Sequence, residues 1–249
     1  MSKPRKQFLI SFSGIDGAGK STQIARLQQA LQQAGYRHEL ITFWDDVVAL
    51  KGLREDVGYK VFKGDRGVGS PEQPIRRRDK DVQSPLVTAA RMVFYFLDTL
   101  SLRRAVRAVS VGNSGAAADV VVFDRYIYDE LANLPLNRIW ARLYIALLLH
   151  LTPKPDAAFV LDADPDAAFR RKPEYSLEFL HVNRKAYIDL ADAAGISVIA
   201  AGPVELVHGT ILDFIQQKRN ALPPGEQVAG LDVDPLKFGG SRSPKSTSR

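Results

Sequence analysis

Eight residues near the start of the chain, Gly14-Ile15-Asp16-Gly17-Ala18-Gly19-Lys20-Ser21, have the types and spacing needed to wrap a phosphate chain. Glycines let a backbone turn sharply and aim several N–H groups at one anion. A helix opening directly behind them adds the partial positive charge of its N-terminus. In that arrangement Lys20 reaches the β- and γ-phosphates and the Ser21 hydroxyl ligates Mg²⁺, while Gly14, Gly17, Ala18, Gly19 and Thr22 complete the cradle. The pattern GxxxxGK[ST] alone has false positives; here an apolar strand precedes it and an amphipathic helix follows, the context that supports it.

Other chemistry-bearing residues fall where α/β folds gather them, at the C-terminal ends of strands. Asp124 directly follows Val120–Phe123 and suits the metal or its water shell; Arg125, next to it, can clamp a phosphate through two N–H groups. Arg170, Arg171 and Lys172 end a short helix ahead of Pro173, so they can close over a transferred phosphoryl group or simply complement the helix dipole. Asp45 and Asp46 stand at the end of the second strand, where a carboxylate can accept a hydroxyl proton or a polar turn can start.

Positioning these groups requires a sheet. Five β-type runs, Gln7–Ser13, His38–Phe43, Asp119–Phe123, Ala157–Asp162 and Ser197–Ala200, alternate with helical patterns. Continuous apolar runs such as Val120-Val121-Val122-Phe123 suit strands buried on both faces of a parallel sheet. Ile24, Leu27, Leu31 and Ala34 mark one face of the helix behind the phosphate loop, which Gly35 ends. Further helices are predicted over 85–110, 129–150, 165–172, 177–194 and 203–218, with Asp164-Pro165 as a helix start. The rhythm predicts a three-layer α/β fold of the P-loop NTPase type, a parallel five-stranded sheet with helices on both faces. The expected domain spans 7–220, with a lid region at 165–180 and an irregular insertion at 45–84 on the acceptor side; 1–6 and 221–249 read as flexible tails.

Composition narrows the field. The chain has 249 residues, 45% hydrophobic and 25% charged, which excludes a collagen-like, coiled-coil or wholly disordered protein. With no cysteine, disulfide scaffolds, thiolate metal sites and cysteine nucleophiles are excluded as well. The net charge of +6 invites a nucleic-acid reading, yet Lys3, Arg5 and Lys6 at one end and Lys237, Arg242, Lys245 and Arg249 at the other supply +7, leaving the body near −1. The basic ends lack interleaved aromatics, so no specific nucleic acid is expected. The start does not read as a signal peptide, and the apolar run 139–151 is interrupted by Arg142 and too short to span a bilayer, so a cytoplasmic protein off the membrane is expected.

The loop Phe12 to Gln23, the triplet Asp124-Arg125-Tyr126, the segment Leu161-Asp162-Ala163-Asp164-Pro165 with its following arginines, and the helix Arg184 to Ala191 ahead of Gly195 together resemble the thymidylate kinase family of nucleoside monophosphate kinases. The resemblance covers 7–44 and 119–217 well and the stretch between poorly. It implies ATP·Mg²⁺-dependent phosphorylation of a nucleoside monophosphate, dTMP to dTDP first among them. By the family's pattern Asp16 binds the acceptor's sugar hydroxyl, Arg125 its phosphate, and Asp124 organises Mg²⁺. The family places a catalytic arginine either in the loop after the Asp or in the lid; Gly17 implies the lid, hence Arg170 and Arg171. The family also pairs as homodimers through helices on one face, a role that run 139–151 suits as well as it suits a buried core helix.

The chain departs from that pattern after the second strand, where Phe43-Trp44-Asp45-Asp46 stands in place of an Arg-Glu-Pro-like element. An acceptor-side arginine is expected about twenty residues before Asp124. Arg91 has the family's Ala-Ala-Arg context but lies further upstream, and Arg104 has the spacing without the context. A nucleoside or other small-molecule kinase using Asp45 or Asp46 as base is the nearest alternative. A nucleotide-dependent switch or binding protein is the alternative from another class; its Asn-Lys-x-Asp guanine element does not occur.

Overall fold

A computed structural model describes residues 7–49, 85–111 and 117–221. The expected irregular stretch from 50 to 84 and the expected tails at 1–6 and 222–249 lie outside the described residues. Five strands, β1 (Phe8–Ser13), β2 (His38–Thr42), β3 (Val120–Asp124), β4 (Ala157–Leu161) and β5 (Ser197–Ile199), form one parallel sheet in the order β2-β3-β1-β4-β5. Helix α1 (Lys20–Gln33) joins β1 to β2, α2 (Pro85–Val111) precedes β3, and α3 (Tyr128–Leu131) with α4 (Ile139–Leu151) lead from β3 to β4. The short α5 (Pro165–Arg171) and the long α6 (Leu177–Ala194) lead to β5, and α7 (Val204–Asn220) follows it.

Strand alternation builds the two cores. Phe8, Ile10, Phe12, Val120, Val122 and Phe159 point to one face, where Ile24, Leu27 and Leu31 of α1 meet Ile211, Leu212 and Ile215 of α7. Leu9, Val121, Phe123 and Val160 point to the other, packed under α2, α3, α4 and α6. Each fully buried Leu or Phe contributes about 1.5–3 kcal/mol relative to exposure, so the central strand, paired on both sides and covered on both faces, anchors the loop that leaves its C-terminal end.

Three expectations change. The helix predicted over 129–150 is two helices, because Pro135 between them has no N–H to continue the ladder. The third strand runs one residue further, to Asp124, in register with Phe12 of β1 and Thr42 of β2. Beyond β2 the chain makes one π-helical turn, Phe43–Val47, pinned by the buried Phe43 and Val47 and by the Asp46 carboxylate, which accepts from Thr42 N at 2.7 Å. Among the described residues no helix is long and apolar enough to cross a membrane.

Candidate active site

The loop from Gly14 to Gly19 leaves β1 and turns into α1 on three left-handed glycines, with φ of 132° at Gly14, 80° at Gly17 and 90° at Gly19. Two of them also have no room for a side chain. A Cβ on Gly14 would stand 2.6 Å from the Leu161 carbonyl oxygen at the end of β4, and one on Gly17 would stand 2.6 Å from that of Ala168 in α5. Lys20 is buried inside the loop and donates through Nζ to the carbonyls of Gly14 at 2.8 Å and Ile15 at 2.9 Å. Burial, reinforced by the nearby Arg125 charge, pushes its ammonium down to about 8; the Asp16, Asp129 and Asp124 carboxylates oppose the shift. Ser21 and Thr22, by contrast, are exposed at the mouth of α1, beside the loop's open side.

Across the ends of β1 and β3 stands Arg125. It is the one non-glycine residue with positive φ among the described residues, at 69°, a conformation that costs on the order of 1–3 kcal/mol. Its N–H donates to the Phe12 carbonyl at 2.9 Å, holding the corner against β1. The guanidinium bridges two carboxylates: Nη2 meets Asp16 of the loop and Nη1 meets Asp129 of α3 at 2.9 Å. Burial disfavours this cation, but Asp129 and Asp16 outweigh it and hold the guanidinium firmly protonated. Asp124 sits half-buried at the end of β3, close enough for its charge to act on Lys20.

The lid helix α5 starts at Asp164, whose carboxylate caps Ala167 N at 3.0 Å, and ends over the loop. Arg171 Nε donates to the Gly17 carbonyl at 2.9 Å, while Arg170 is exposed beside it and Lys172 turns away to Glu174 at 3.1 Å. At the end of β4, Asp162 takes both arms of Arg184 from α6, at 2.5 and 2.7 Å, which ties the lid's two helices to the sheet.

A cavity of about 810 Å³ lies between α2, the α3–α4 connection and α6, with Arg91, Met92, Asn133, Trp140, Phe179 and Asn183 among its walls. The Arg91 Nη2 is buried there with no hydrogen-bond partner. Arg104 lies thirteen residues along the same helix, roughly 20 Å at 1.5 Å per residue, and is exposed. Of the two acceptor-side arginines, the cavity therefore receives the one with the sequence context and not the one with the spacing. Asp45 is exposed in the π turn, and Asp46 is engaged in capping that turn.

Two residues of this site carry no sequence motif. Asp129 and Tyr187 are buried behind Arg125, and the Tyr187 hydroxyl donates to Asp129 Oδ1 at 2.7 Å. Burial, then the Asp129 charge, raises the Tyr187 hydroxyl well above its ordinary range, so it stays a donor. The four-residue step from Arg125 to Asp129 was a usable signal, since side chains so spaced meet on one side of a helical turn; Tyr187, on a distant helix, had none.

A nucleotide-binding loop with its buried lysine, a second cation at the next strand end and a lid over both define a P-loop protein built for phosphate groups. No protein-family model matches the chain. It is 28% identical over 228 residues to a probable thymidylate kinase of Archaeoglobus fulgidus, covering 86% of this chain and 99% of that one. It is 29% identical over 203 residues to a thymidylate kinase of Dinoroseobacter shibae, covering 78% and 86%. In fold it is similar to the crystal structure of thymidylate kinase from Ehrlichia chaffeensis, with a TM-score of 0.51 and 20% identity over 84% of this chain and 99% of that one. Both curated relatives bear the name of the family that the loop and the Asp124-Arg125-Tyr126 triplet resemble.

Proposed function

We propose that this chain transfers the γ-phosphoryl group of ATP to a nucleoside monophosphate, converting dTMP to dTDP. The observation that carries the reading is that Arg125, at the strand end beside the phosphate loop, touches the loop through Asp16 and is anchored from α3 by the Asp129 carboxylate, while the Asp129 carbonyl holds the cavity-wall residue Asn133. Gly14 to Thr22 would cradle the donor phosphates. Lys20 would exchange its two carbonyl partners for phosphate oxygens, Arg171 with Arg170 would shield the migrating group, and Arg125 would hold the acceptor phosphate. Asp16, released from Arg125 by that phosphate, would accept from the sugar hydroxyl. Arg91 would supply its buried Nη2 to the acceptor's base edge.

The donor set also suits Mg²⁺. Ser21 and Asp124 offer one hydroxyl and one carboxylate, and no cluster of three or more metal-binding side chains occurs among the described residues; this fits an ion that keeps its waters and leans on substrate phosphates. When bound, Mg²⁺ would neutralise charge on the phosphates. No base is required on the acceptor, because its phosphate is already largely ionised near neutral pH, with a second pKa of about 6. Asp46, engaged with its own backbone, does not favour the alternative of transfer to a hydroxyl.

We place the reaction in the cytoplasm and the protein in homodimers. The support for pairing is an exposed apolar face on α2 and α4: Val93, Phe96, Ile139, Trp140, Leu143 and Leu147. Sedimentation of the full chain tests it. For activity, ADP release from ATP is followed with each nucleoside monophosphate and nucleoside in turn. Turnover is expected with dTMP above the rest; turnover with a nucleoside and none with any monophosphate would overturn the assignment.

A further inference from the structure

Asp129 is a buried carboxylate with four hydrogen-bond donors, and neither the loop motif nor the arginines of α5 use it. Its Oδ1 accepts from Arg125 Nη1 at 2.9 Å and from the Tyr187 hydroxyl at 2.7 Å. Its Oδ2 accepts from Ser13 Oγ at 2.6 Å and from Tyr126 N at 3.1 Å. Four donors arrive from three places: the last residue of β1, the corner after β3 (twice), and the middle of α6. The side chain is 1% exposed. A carboxylate buried this way is tolerated only when charge and hydrogen bonds satisfy it, and here the single full countercharge is Arg125.

The two carboxylates on Arg125 differ in a way that assigns them different jobs. Asp16 belongs to the phosphate loop and is itself half-buried; an incoming phosphate can take its place. Asp129 faces no cavity and has no lone pair left to give. We propose that Asp129, oriented by Tyr187 and Ser13, is the positioning residue that fixes the Arg125 guanidinium beside the phosphate loop, so that one N–H edge stays anchored while the other is presented to the acceptor phosphate. This rests on the function proposed above. Without Asp129, Arg125 keeps only its bond to the loop, and its charge is drawn from the acceptor side toward the donor side.

The test measures steady-state kinetics of the full-length protein with ATP and dTMP for Asp129→Asn, Tyr187→Phe and Arg125→Lys, and for each of the first two combined with Arg125→Lys. Asp129→Asn is expected to raise the acceptor KM about tenfold or more, the scale of one lost charge-assisted hydrogen bond, with the ATP KM within about twofold of wild type. Tyr187→Phe should raise the acceptor KM about threefold, as a lost neutral donor does. In the Arg125→Lys background both effects should shrink to about twofold or less, because residues acting through one partner are not additive. Equal losses in the two backgrounds, an ATP KM that rises in step with the acceptor KM, or an unchanged acceptor KM in a folded variant would each overturn the proposal. If Asp129→Asn does not fold, the Tyr187→Phe cycle decides on the same criteria. A wild type that ignores dTMP counts against the function and not against Asp129; the cycle is then run with whichever phosphorylated acceptor it does use.

Discussion

The donor side and the acceptor side of this site are built on opposite plans. The donor side is one unbroken stretch, from β1 through the loop into α1, and its working groups are mostly backbone N–H groups plus Lys20. The proposed acceptor side draws on Arg91 of α2, Arg125 of the corner after β3, Asp129 of α3 and Tyr187 of α6, the last three joined by hydrogen bonds only in the folded chain. A contiguous loop carries its geometry in local conformation, so glycine placement and one strand suffice to define it. A composite pocket depends on how three helices pack: Arg91 can be exchanged by itself, while Arg125, Asp129 and Tyr187 act as one coupled unit. The donor chemistry is therefore the fixed half and the acceptor the adjustable half.

Four outcomes test that division, beginning with the largest. Lys20→Ala should cut turnover by about a thousandfold or more, since it removes a donor aimed at the transferred group. Circular dichroism should find the fold intact, because the variant deletes a cation that burial already disfavours; undiminished turnover would refute the donor assignment. Arg91→Ala should raise the acceptor KM about tenfold while leaving the ATP KM unchanged, and a matching rise in both would merge the two halves.

The third outcome concerns protons. With its ammonium pushed down to about 8, Lys20 is roughly half neutral at pH 8 in the free protein. Nucleotide phosphates favour the charged form, so binding at that pH should take up about 0.5 proton. Calorimetry in buffers of different ionisation enthalpy measures it, and Lys20→Arg, always protonated, should show none. The smallest effect lies on α7, behind the first turn of α1. His208 is held below its ordinary value by burial and then by Arg26, with Nδ1 3.2 Å from Gln23 Oε1. A depressed histidine favours folding above its unfolded value near 6.5. As pH falls through that value the unfolded chain takes up a proton that the native state resists, and stability drops. The acid-side fall in Tm should be about 2 °C steeper in wild type than in His208→Gln.

The same division explains what was legible in the sequence. The five strands and the phosphate loop read directly, because apolar continuity and glycine spacing are local signals; Asp124 and Arg125 followed from their position after Phe123. The short helix at Tyr128–Leu131 does not separate from Ile139–Leu151 in the sequence pattern, because the apolar spacing runs on across Pro135. Asp129 was within reach through its four-residue step from Arg125. Tyr187 was not, because fifty-eight residues and a sheet crossover separate it from its partner. That Arg91 and not Arg104 lines the cavity depends on which turn of α2 faces it, and the 33 residues from Arg91 to Asp124 hide that from a spacing argument.

Gly17 has a consequence for ancestry. With φ at 80° and the Ala168 carbonyl 2.6 Å from where its Cβ would stand, this position admits no side chain while the lid helix sits where it does. A lineage that starts from this arrangement cannot acquire an arginine in the loop by one substitution. The lid must first retreat, and retreat removes Arg171 from the loop. A side chain at position 17 and the Arg171 contact with the Gly17 carbonyl thus exclude one another by backbone contact.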